Sequence, residues 1–258
     1  MTPKQTKLDY PDSTGQKVSA VLTEPSSPTD AIVVLCHGFL SNKQSSTNRR
    51  LTELLIEKRI STFCFDWFGM GESTGTFSEL TIDLCCDELQ QALAFVRTQR
   101  YSRIGLVGSS YGGLIATLIA SNDSSLAALG LKCPVPDFPE MLQLEFGQEA
   151  MHRWHATGKI PDVTGCDKPI ALHYAFYENC LTYDAYRAAQ AIHTPTLIVH
   201  GDEDELVPIH QIERLQQSLA GENRLHLLSG ANHHFGRPDD FRKMTTLLAN
   251  WMIEHLPN

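Results

Sequence analysis

The sequence predicts an α/β protein built on a mostly parallel sheet with helices on both of its faces. Short apolar segments alternate along the chain with longer segments of helical periodicity, a pattern typical of successive strand–helix units. The segment 31–36, AIVVLC, is apolar at every position, as expected for a strand that is buried on both sides. Together these observations indicate a parallel sheet covered by helices.

The strands are predicted from short, mostly apolar runs, and the first two of them read as a hairpin. They fall at residues 7–10, 18–23, 31–36, 61–65, 103–107, 126–131, 196–200 and 224–228.

The helices follow from periodic apolar positions. They are predicted at 48–58, 80–98 and 111–121, after the strand at 196–200, and at the C-terminus. Leu89, Leu93 and Val96 lie on one face of the helix at 80–98, at spacings i, i+4 and i+7. The last helix carries a stripe of Phe241, Met244, Leu248 and Trp251. Pro208 suits a first helical turn, where its missing N–H costs nothing.

The alternation breaks after Pro134. Residues 134–194 are rich in proline, aromatic and histidine residues and contain no clear buried strand. A chain of 258 residues suits one large domain, or one domain that carries an insertion. We therefore predict an α/β core formed by residues 1–133 and 195–258, with an insertion at 134–194.

Composition and charge limit the kinds of molecule that the protein is expected to bind. The formal net charge of −9 disfavours nucleic acid and anionic membranes as partners. Residues 1–16 are polar and lack a signal-peptide core, and the longest apolar runs are too short to span a bilayer. The seven cysteines, with Cys85 and Cys86 adjacent, fit neither a disulfide framework nor a CxxC metal site. We expect a cytoplasmic protein without an integral membrane segment, and the sequence leaves a homodimer open.

The segment 108–112, GSSYG, points to a serine nucleophile. It fits the pattern G-x-S-x-G between an apolar strand and a helix of small residues, which is the context that this motif needs. The glycines remove side chains that would collide around a tight turn, and the turn lifts the serine above the sheet at a helix N-terminus. Ser110 takes the central position, and the rival Ser109 occupies the preceding one.

The acid and the base are expected after later strands, because a serine hydroxyl needs a base within hydrogen-bonding reach. In this chemistry on an α/β sheet the chain order is serine, then acid, then histidine. Four acidic residues, 202–205, follow the strand at 196–200, and some of them are expected to be merely solvated. His233 and His234 follow the last strand in a loop that contains Gly230.

The loop after the strand at 31–36 predicts an oxyanion hole. Acyl transfer puts negative charge on the former carbonyl oxygen, and two backbone N–H groups should meet that charge. One donor is expected from Tyr111, directly after the nucleophile, and the other from Phe39 in the segment HGF at 37–39. We expect Gly38 to let the backbone approach closely.

Five motifs in order resemble the α/β-hydrolase superfamily, within it the branch of serine aminopeptidase-like hydrolases, monoacylglycerol lipases and feruloyl (cinnamoyl) esterases. They are HGF at 37–39, DWFGMGES at 66–73, GSSYGG at 108–113, HGDEDELVP at 200–208 and GANHHF at 230–235. The resemblance implies an α/β-hydrolase fold with a mostly parallel, eight-stranded sheet and a cap formed by 134–194. It also implies Asp204 as the acid and His233 as the base for Ser110. Ser109 stands where relatives often have histidine.

The insertion holds the candidates for a substrate pocket, although any of them could instead form the insertion's own core. They are Phe138, Met141, Leu142, Phe146, Trp154, His155, Tyr174, Phe176 and Tyr177. Phe138, Met141, Phe176 and Tyr177, with His234 beside the base, are the residues we predict to bind substrate.

The predicted function is hydrolysis of a small carboxylic ester through an acyl-enzyme, with no cofactor and no metal. A thioesterase or an amidase/aminopeptidase would use the same triad. Glu140, Glu145 and Glu178 are the carboxylates in the insertion that could hold a substrate ammonium. A catalytically silent binding protein on the same fold is the alternative from another class.

Overall fold

The computed structural model describes residues 2–160 and 170–257. Ten strands lie within this part of the chain: β1 Lys4–Pro11, β2 Lys17–Glu24, β3 Ala31–Cys36, β4 Ser61–Phe65, β5 Arg103–Ser109, β6 Leu126–Lys132, β7 Lys159–Ile160, β8 Ile170–Ala171, β9 Thr196–Gly201 and β10 Asn223–Leu228. The α-helices are α1 Ser46–Glu57, α2 Ile82–Thr98, α3 Tyr111–Ala120, α4 Phe138–Thr157, α5 Ala175–Cys180, α6 Ala185–Ala189, α7 Ile209–Ser218 and α8 Pro238–His255.

Eight of these strands form one sheet in the order β1-β2-β4-β3-β5-β6-β9-β10. The strands β1 and β2 pair as an antiparallel hairpin, and β2 is also antiparallel to β4. All remaining neighbours in this sheet are parallel. The predicted mostly parallel, eight-stranded sheet and the N-terminal hairpin are therefore confirmed. The ends of β3, β5, β6, β9 and β10 meet at one edge, where ligands bind in sheets of this kind.

Two hydrophobic cores cover the two faces of the sheet, as the strand β3 illustrates. Ile32, Val34 and Cys36 point into the larger core, which contains the apolar faces of α2 and α3. Ala31, Val33 and Leu35 point into the other core, against α1 and α8. The continuous apolar run at 31–36 therefore reflects burial on both sides. On α8, Met244, Leu248 and Trp251 are buried as predicted and Phe241 is partly buried.

The differences between predicted and observed helix starts arise at caps. The helix α2 begins at Ile82 because the hydroxyl of Thr81 accepts from Leu84 N–H at 3.2 Å, so Thr81 is the N-cap. Residues 77–79, before it, form a short 3₁₀ turn. Pro208 occupies the N-cap position of α7, one residue earlier than predicted, with the helix beginning at Ile209.

The segment 134–194 contributes helices to the molecule. Its longest helix, α4, changes direction at Gly147, where φ is 70° and the backbone leaves helical geometry. The two-residue strands β7 and β8 form a small antiparallel pair of their own, and α5 and α6 follow. Residues 161–169 of the predicted cap lie outside the described residues.

Two further features concern the helices and the cysteines. Within the described ranges, none of the helices combines the length and apolar character that crossing a membrane requires. The six cysteines in those ranges are free thiols, and five of them are buried. The seventh, Cys166, is outside the described residues.

Candidate active site

Ser110 lies at a sharp turn between β5 and α3. Its φ of 52° and ψ of −115° are sparsely populated by residues other than glycine, and such a conformation costs about 1–3 kcal/mol. The Ser110 N–H donates to the carbonyl of Lys132 on the neighbouring strand β6 at 2.8 Å. The Ser110 carbonyl accepts from Gly113 N–H in α3 at 2.8 Å. Backbone bonds on both sides therefore hold the strained residue in place.

The flanking glycines are a steric requirement of this turn. A Cβ at Gly108 would lie 2.3 Å from the carbonyl oxygen of Gly112. A Cβ at Gly112 would lie 2.5 Å from the carbonyl oxygen of His37, in the loop after β3. Gly38 differs, because a Cβ there would meet Ser110 Cβ at 3.5 Å, an ordinary contact. Within the protein, position 38 is therefore not sterically restricted to glycine.

The structure brings His233 to Ser110 across 123 positions of sequence. The His233 Nε2 atom lies 3.0 Å from Ser110 Oγ, within hydrogen-bonding distance. His233 is 3% exposed and sits in the loop after β10. Ser109 Oγ is buried and has no hydrogen-bond partner among the described residues, so no base reaches it.

Asp204 completes this line of contacts from the loop after β9. The His233 Nδ1–H donates to Asp204 Oδ2 at 2.8 Å. Asp204 Oδ1 accepts from the N–H groups of Leu206 and Val207 at 3.0 and 2.8 Å. Because Nδ1 carries the proton that Asp204 accepts, Nε2 is free to accept the Ser110 proton. Two other acids of this segment accept hydrogen bonds from backbone N–H groups. Asp202 accepts from Gly230 N–H, and Glu205 accepts from His233 N–H.

Burial and mutual interaction set the charges of this pair. Burial alone would raise the pKa of Asp204, but the bond from His233 and the backbone N–H groups lower the pKa to about 2. Burial lowers the pKa of His233 below its usual 6.5, opposed by Asp204 and assisted by the charge of Lys132. At neutral pH the site therefore holds an ionised acid and a neutral imidazole.

Phe39 and Tyr111 flank the serine with backbone N–H groups that find no acceptor among the described residues. Their side chains anchor this geometry. The Phe39 ring packs against the rings of Tyr111, Phe138 and Phe176 at centroid distances of 5.7, 5.8 and 5.7 Å. The Tyr111 hydroxyl donates to Cys85 Sγ at 3.1 Å. Both side chains therefore pack against the larger core beside the serine.

A cavity of about 430 Å³ opens above Ser110 and His233. Its lining combines the loop after β3, the first turn of α1, the nucleophile turn, and α4. The residues are Gly38, Phe39, Leu40, Ser41, Ser45, Ser46, Thr47, Ser109, Ser110, Lys132, Phe138, Met141, Leu142, Glu145, Phe146, Ile160, Leu206, His233 and His234. Phe138, Met141 and His234 therefore lie where a substrate pocket was predicted.

Phe176 and Tyr177 lie away from this cavity, contrary to the predicted position. Phe176 is fully buried behind the lining, where its ring packs against Phe39 and Phe138. Tyr177 lines a separate cavity with Gln143 and Tyr174. The helix α5 begins at Ala175, and it faces the core and α4 rather than the space above Ser110. The positions of the helices in the insertion could not be predicted from its apolar residues alone.

Lys132 is the site residue that sequence reasoning missed. It is the last residue of β6, it is 7% exposed, and it lines the cavity. Its ammonium donates to the carbonyl of His233 at 2.8 Å and lies 5.3 Å from the centre of the Phe235 ring. The available signal was a charged residue that ends an apolar strand at the sheet edge where ligands bind.

One cluster within the described residues has donor atoms suited to a metal. The sulfur, nitrogen and oxygen ligands of Cys133, His200 and Asp204 lie within 4.8 Å of one another. These residues lie behind the line of contacts and do not line the cavity. Asp204 Oδ2 is already an acceptor for His233, so a metal there would compete with that bond. We assign no metal to the site, and a metal-free and cofactor-free reaction stays a prediction.

Comparisons with known proteins agree with this architecture. The model of the Alpha/beta hydrolase family matches residues 33–243, and the chain belongs to this family. Human serine hydrolase BPHL is 23% identical over 238 residues, which cover 83% of this chain and 78% of that protein.

Solved structures share the fold at low sequence identity. A structure of Est1E from Butyrivibrio proteoclasticus with ferulic acid bound has a TM-score of 0.83 at 21% identity and covers 96% of this chain and 98% of that one. The esterase domain of a Rhodothermus marinus protein has a TM-score of 0.75 at 17% identity, with 98% and 99% covered.

Proposed function

We propose that this protein is a serine hydrolase that cleaves small carboxylic esters, with Ser110 as nucleophile, His233 as base and Asp204 as the acid. The observation that carries the proposal is the continuous line of contacts from Ser110 Oγ through the His233 ring to Asp204 at the floor of the cavity. Serine hydrolases are recognised by this geometry and by the roles of its members.

The proposed reaction has two acyl-transfer steps. Ser110 Oγ attacks the ester carbonyl while His233 Nε2 takes its proton, and the N–H groups of Phe39 and Tyr111 bind the oxyanion. His233 then protonates the departing alcohol, which leaves an acyl group on Ser110. Water, deprotonated by His233, attacks this acyl-enzyme and releases the carboxylic acid. Asp204 holds the imidazole in the required tautomer and stabilises its charged form throughout.

We further propose that the segment 134–194 acts as a cap and shapes the pocket. Its helix α4 supplies Phe138, Met141 and three further lining residues. The start of α4 is tied to α7 of the core, since Gln211 Nε2 donates to the Asp137 carbonyl at 3.1 Å and to Glu140 at 2.8 Å. A volume of about 430 Å³ lies within the range of small-molecule sites.

An ester substrate is supported by solved structures of the same fold, one of which is named an esterase domain. Ferulic acid in the related Est1E supports a small carboxylic acid as the acyl product here. Of the three candidate carboxylates for an amine-bearing substrate, Glu145 lines the cavity and has an interaction of its own, and Glu140 bonds His210 and Gln211. A panel of matched ester, thioester and amide substrates separates these activities. We retain the cytoplasm as the proposed compartment.

Substitution of the two adjacent serines tests the proposal. We expect Ser110→Ala to lower kcat on para-nitrophenyl esters by at least about 10⁴-fold, because the nucleophile is lost. Ser109→Ala should lower kcat far less, since no base contacts the Ser109 hydroxyl. Both proteins are compared by circular dichroism to verify folding. Undiminished esterase activity in Ser110→Ala would refute the assignment. Absence of esterase activity in the folded wild-type protein would leave a silent binding protein as the alternative.

A further inference from the structure

The ammonium of Lys132 occupies an unusual position for a lysine. It is largely removed from water, and burying a cation is costly unless an opposite charge or several hydrogen bonds replace the water. Its partners are neutral: the carbonyl oxygen of His233 and the face of the Phe235 ring. No ion pair joins it to any carboxylate in the described part of the chain. Among the described residues, one of its three N–H donors has a hydrogen-bond acceptor.

The sheet places Lys132 beside the segment that carries the proposed nucleophile, since its carbonyl accepts from Ser110 N–H at 2.8 Å. The strands β5 and β6 are parallel neighbours, with Ser109 opposite Lys132 in the register. The loop that carries Phe39 follows β3, on the other side of β5. Lys132 thus lies on the His233 side of Ser110, opposite the predicted oxyanion loop. On that side His233 would deliver its proton to the departing alcohol.

We propose that Lys132 is a specificity-determining residue that binds a carboxylate carried by the substrate, on the alcohol part of the ester. This inference rests on the proposed function and narrows it to anionic esters. A substrate carboxylate in the cavity supplies the opposite charge that the buried ammonium lacks. Hydrogen bonds between charged groups in such surroundings are roughly twice as strong as neutral ones.

A merely structural role is the competing explanation. The bond from Lys132 to the His233 carbonyl also holds the loop that carries the base. A variant that only loosened this loop would slow charged and neutral esters alike. The ratio of kcat/KM for a charged ester to that for its neutral isostere cancels this effect, so the ratio isolates charge recognition.

The test uses two matched pairs of esters. In the alcohol pair, para-acetoxybenzoate carries the carboxylate and para-acetoxybenzamide is its neutral isostere. In the acyl pair, mono-para-nitrophenyl glutarate is compared with the corresponding glutaramate ester. Lys132→Gln removes the charge but keeps side-chain N–H donors. Lys243→Gln, at an exposed position of α8, controls for the change in net charge.

We expect Lys132→Gln to lower the charged-to-neutral ratio of the alcohol pair by about tenfold or more, and Lys243→Gln to leave it unchanged. A fall confined to the acyl pair would contradict a carboxylate on the alcohol part and overturn the proposal as stated. Unchanged ratios in both pairs would overturn the proposal. If Lys132→Gln does not fold, inhibition of the wild-type protein tests the proposal. The proposal then requires para-hydroxybenzoate to inhibit about tenfold more strongly than para-hydroxybenzamide.

Failure of this inference is distinguishable from failure of the proposed function. If the neutral esters are hydrolysed and that activity depends on Ser110, the hydrolase assignment stands whatever the ratios show. If neither member of any pair is hydrolysed by the wild-type protein, the proposed function itself fails.

Discussion

The side chains of Ser110, His233 and Asp204 owe their chemistry to surroundings that differ for each. Ser110 sits on a strained backbone that two hydrogen bonds hold in place. His233 is neutral because burial disfavours its charged form, and Asp204 is ionised because it accepts three hydrogen bonds. A neutral base beside a fixed anion is the starting state that proton abstraction from serine requires.

The pH dependence of kcat/KM follows from these charges. His233 must be neutral to accept a proton, and its folded pKa lies below 6.5, so activity is present above that pKa and is lost as pH falls through it. We expect the acidic limb of the profile below pH 6.5, with Asp204 ionised throughout because its pKa is about 2. His226→Gln, at an exposed position, should leave the limb in place. A limb centred above pH 7 would contradict this account.

Sequence reasoning reached some of these residues and not others, for physical reasons. Ser110 could be predicted because the turn excludes side chains at positions 108 and 112, and that exclusion is visible as glycine. Choosing Asp204 among four neighbouring acids needed the family resemblance, because composition does not reveal which carboxylate faces His233. Lys132 escaped notice because a lysine at the end of a strand is ordinary until burial is known.

Among the elements, the turn from β5 to α3 is the most tightly constrained. Its close packing on the loop after β3 brings together three proposed parts of the site: Ser110 as nucleophile, and the N–H groups of Tyr111 and Phe39. The strand boundaries could be predicted to within a few residues because apolar runs end where burial ends. Helix starts were less accurate, since Ser45 and Thr81 decide them through cap hydrogen bonds.

Alanine substitutions at two nearby glycines, Gly112 and Gly38, test which position sterically requires glycine. We expect Gly112→Ala to lower the free energy of unfolding by about 1–3 kcal/mol, because its Cβ would press on the carbonyls of His37 and Cys36. Gly38→Ala should cost less, since its Cβ meets only ordinary contacts. Urea unfolding measures both variants. Equal destabilisation of the two variants would contradict the steric difference between positions 112 and 38.

In the whole molecule, a confirmed α/β core carries a segment whose role as a cap stays a prediction. The sheet order could not be read from apolar patterns, because periodicity does not identify a strand's neighbours; the family resemblance supplied the fold. The segment 134–194 was the least predictable part. Its aromatic residues divide between the cavity, as Phe138 does, and the core behind it, as Phe176 does.

Filling the cavity from α4 tests whether this segment shapes the pocket. Met141 lines the cavity, whereas Leu144 on the same helix is 60% exposed. We expect Met141→Trp to lower kcat/KM for para-nitrophenyl octanoate by about tenfold or more relative to the acetate, because the larger ring takes acyl space. Leu144→Trp is the matched control and should leave that ratio unchanged. Identical ratios in the two variants would argue against a cap role for α4.

Covalent labelling with a fluorophosphonate, followed by peptide mass spectrometry, tests the central claim most directly. A serine activated by a neutral histidine attacks phosphorus and keeps the adduct, whereas an ordinary serine does not react. The account predicts one adduct, on Ser110, which is lost when His233 is replaced by alanine. An adduct on Ser109, or no adduct on the folded protein, would contradict it.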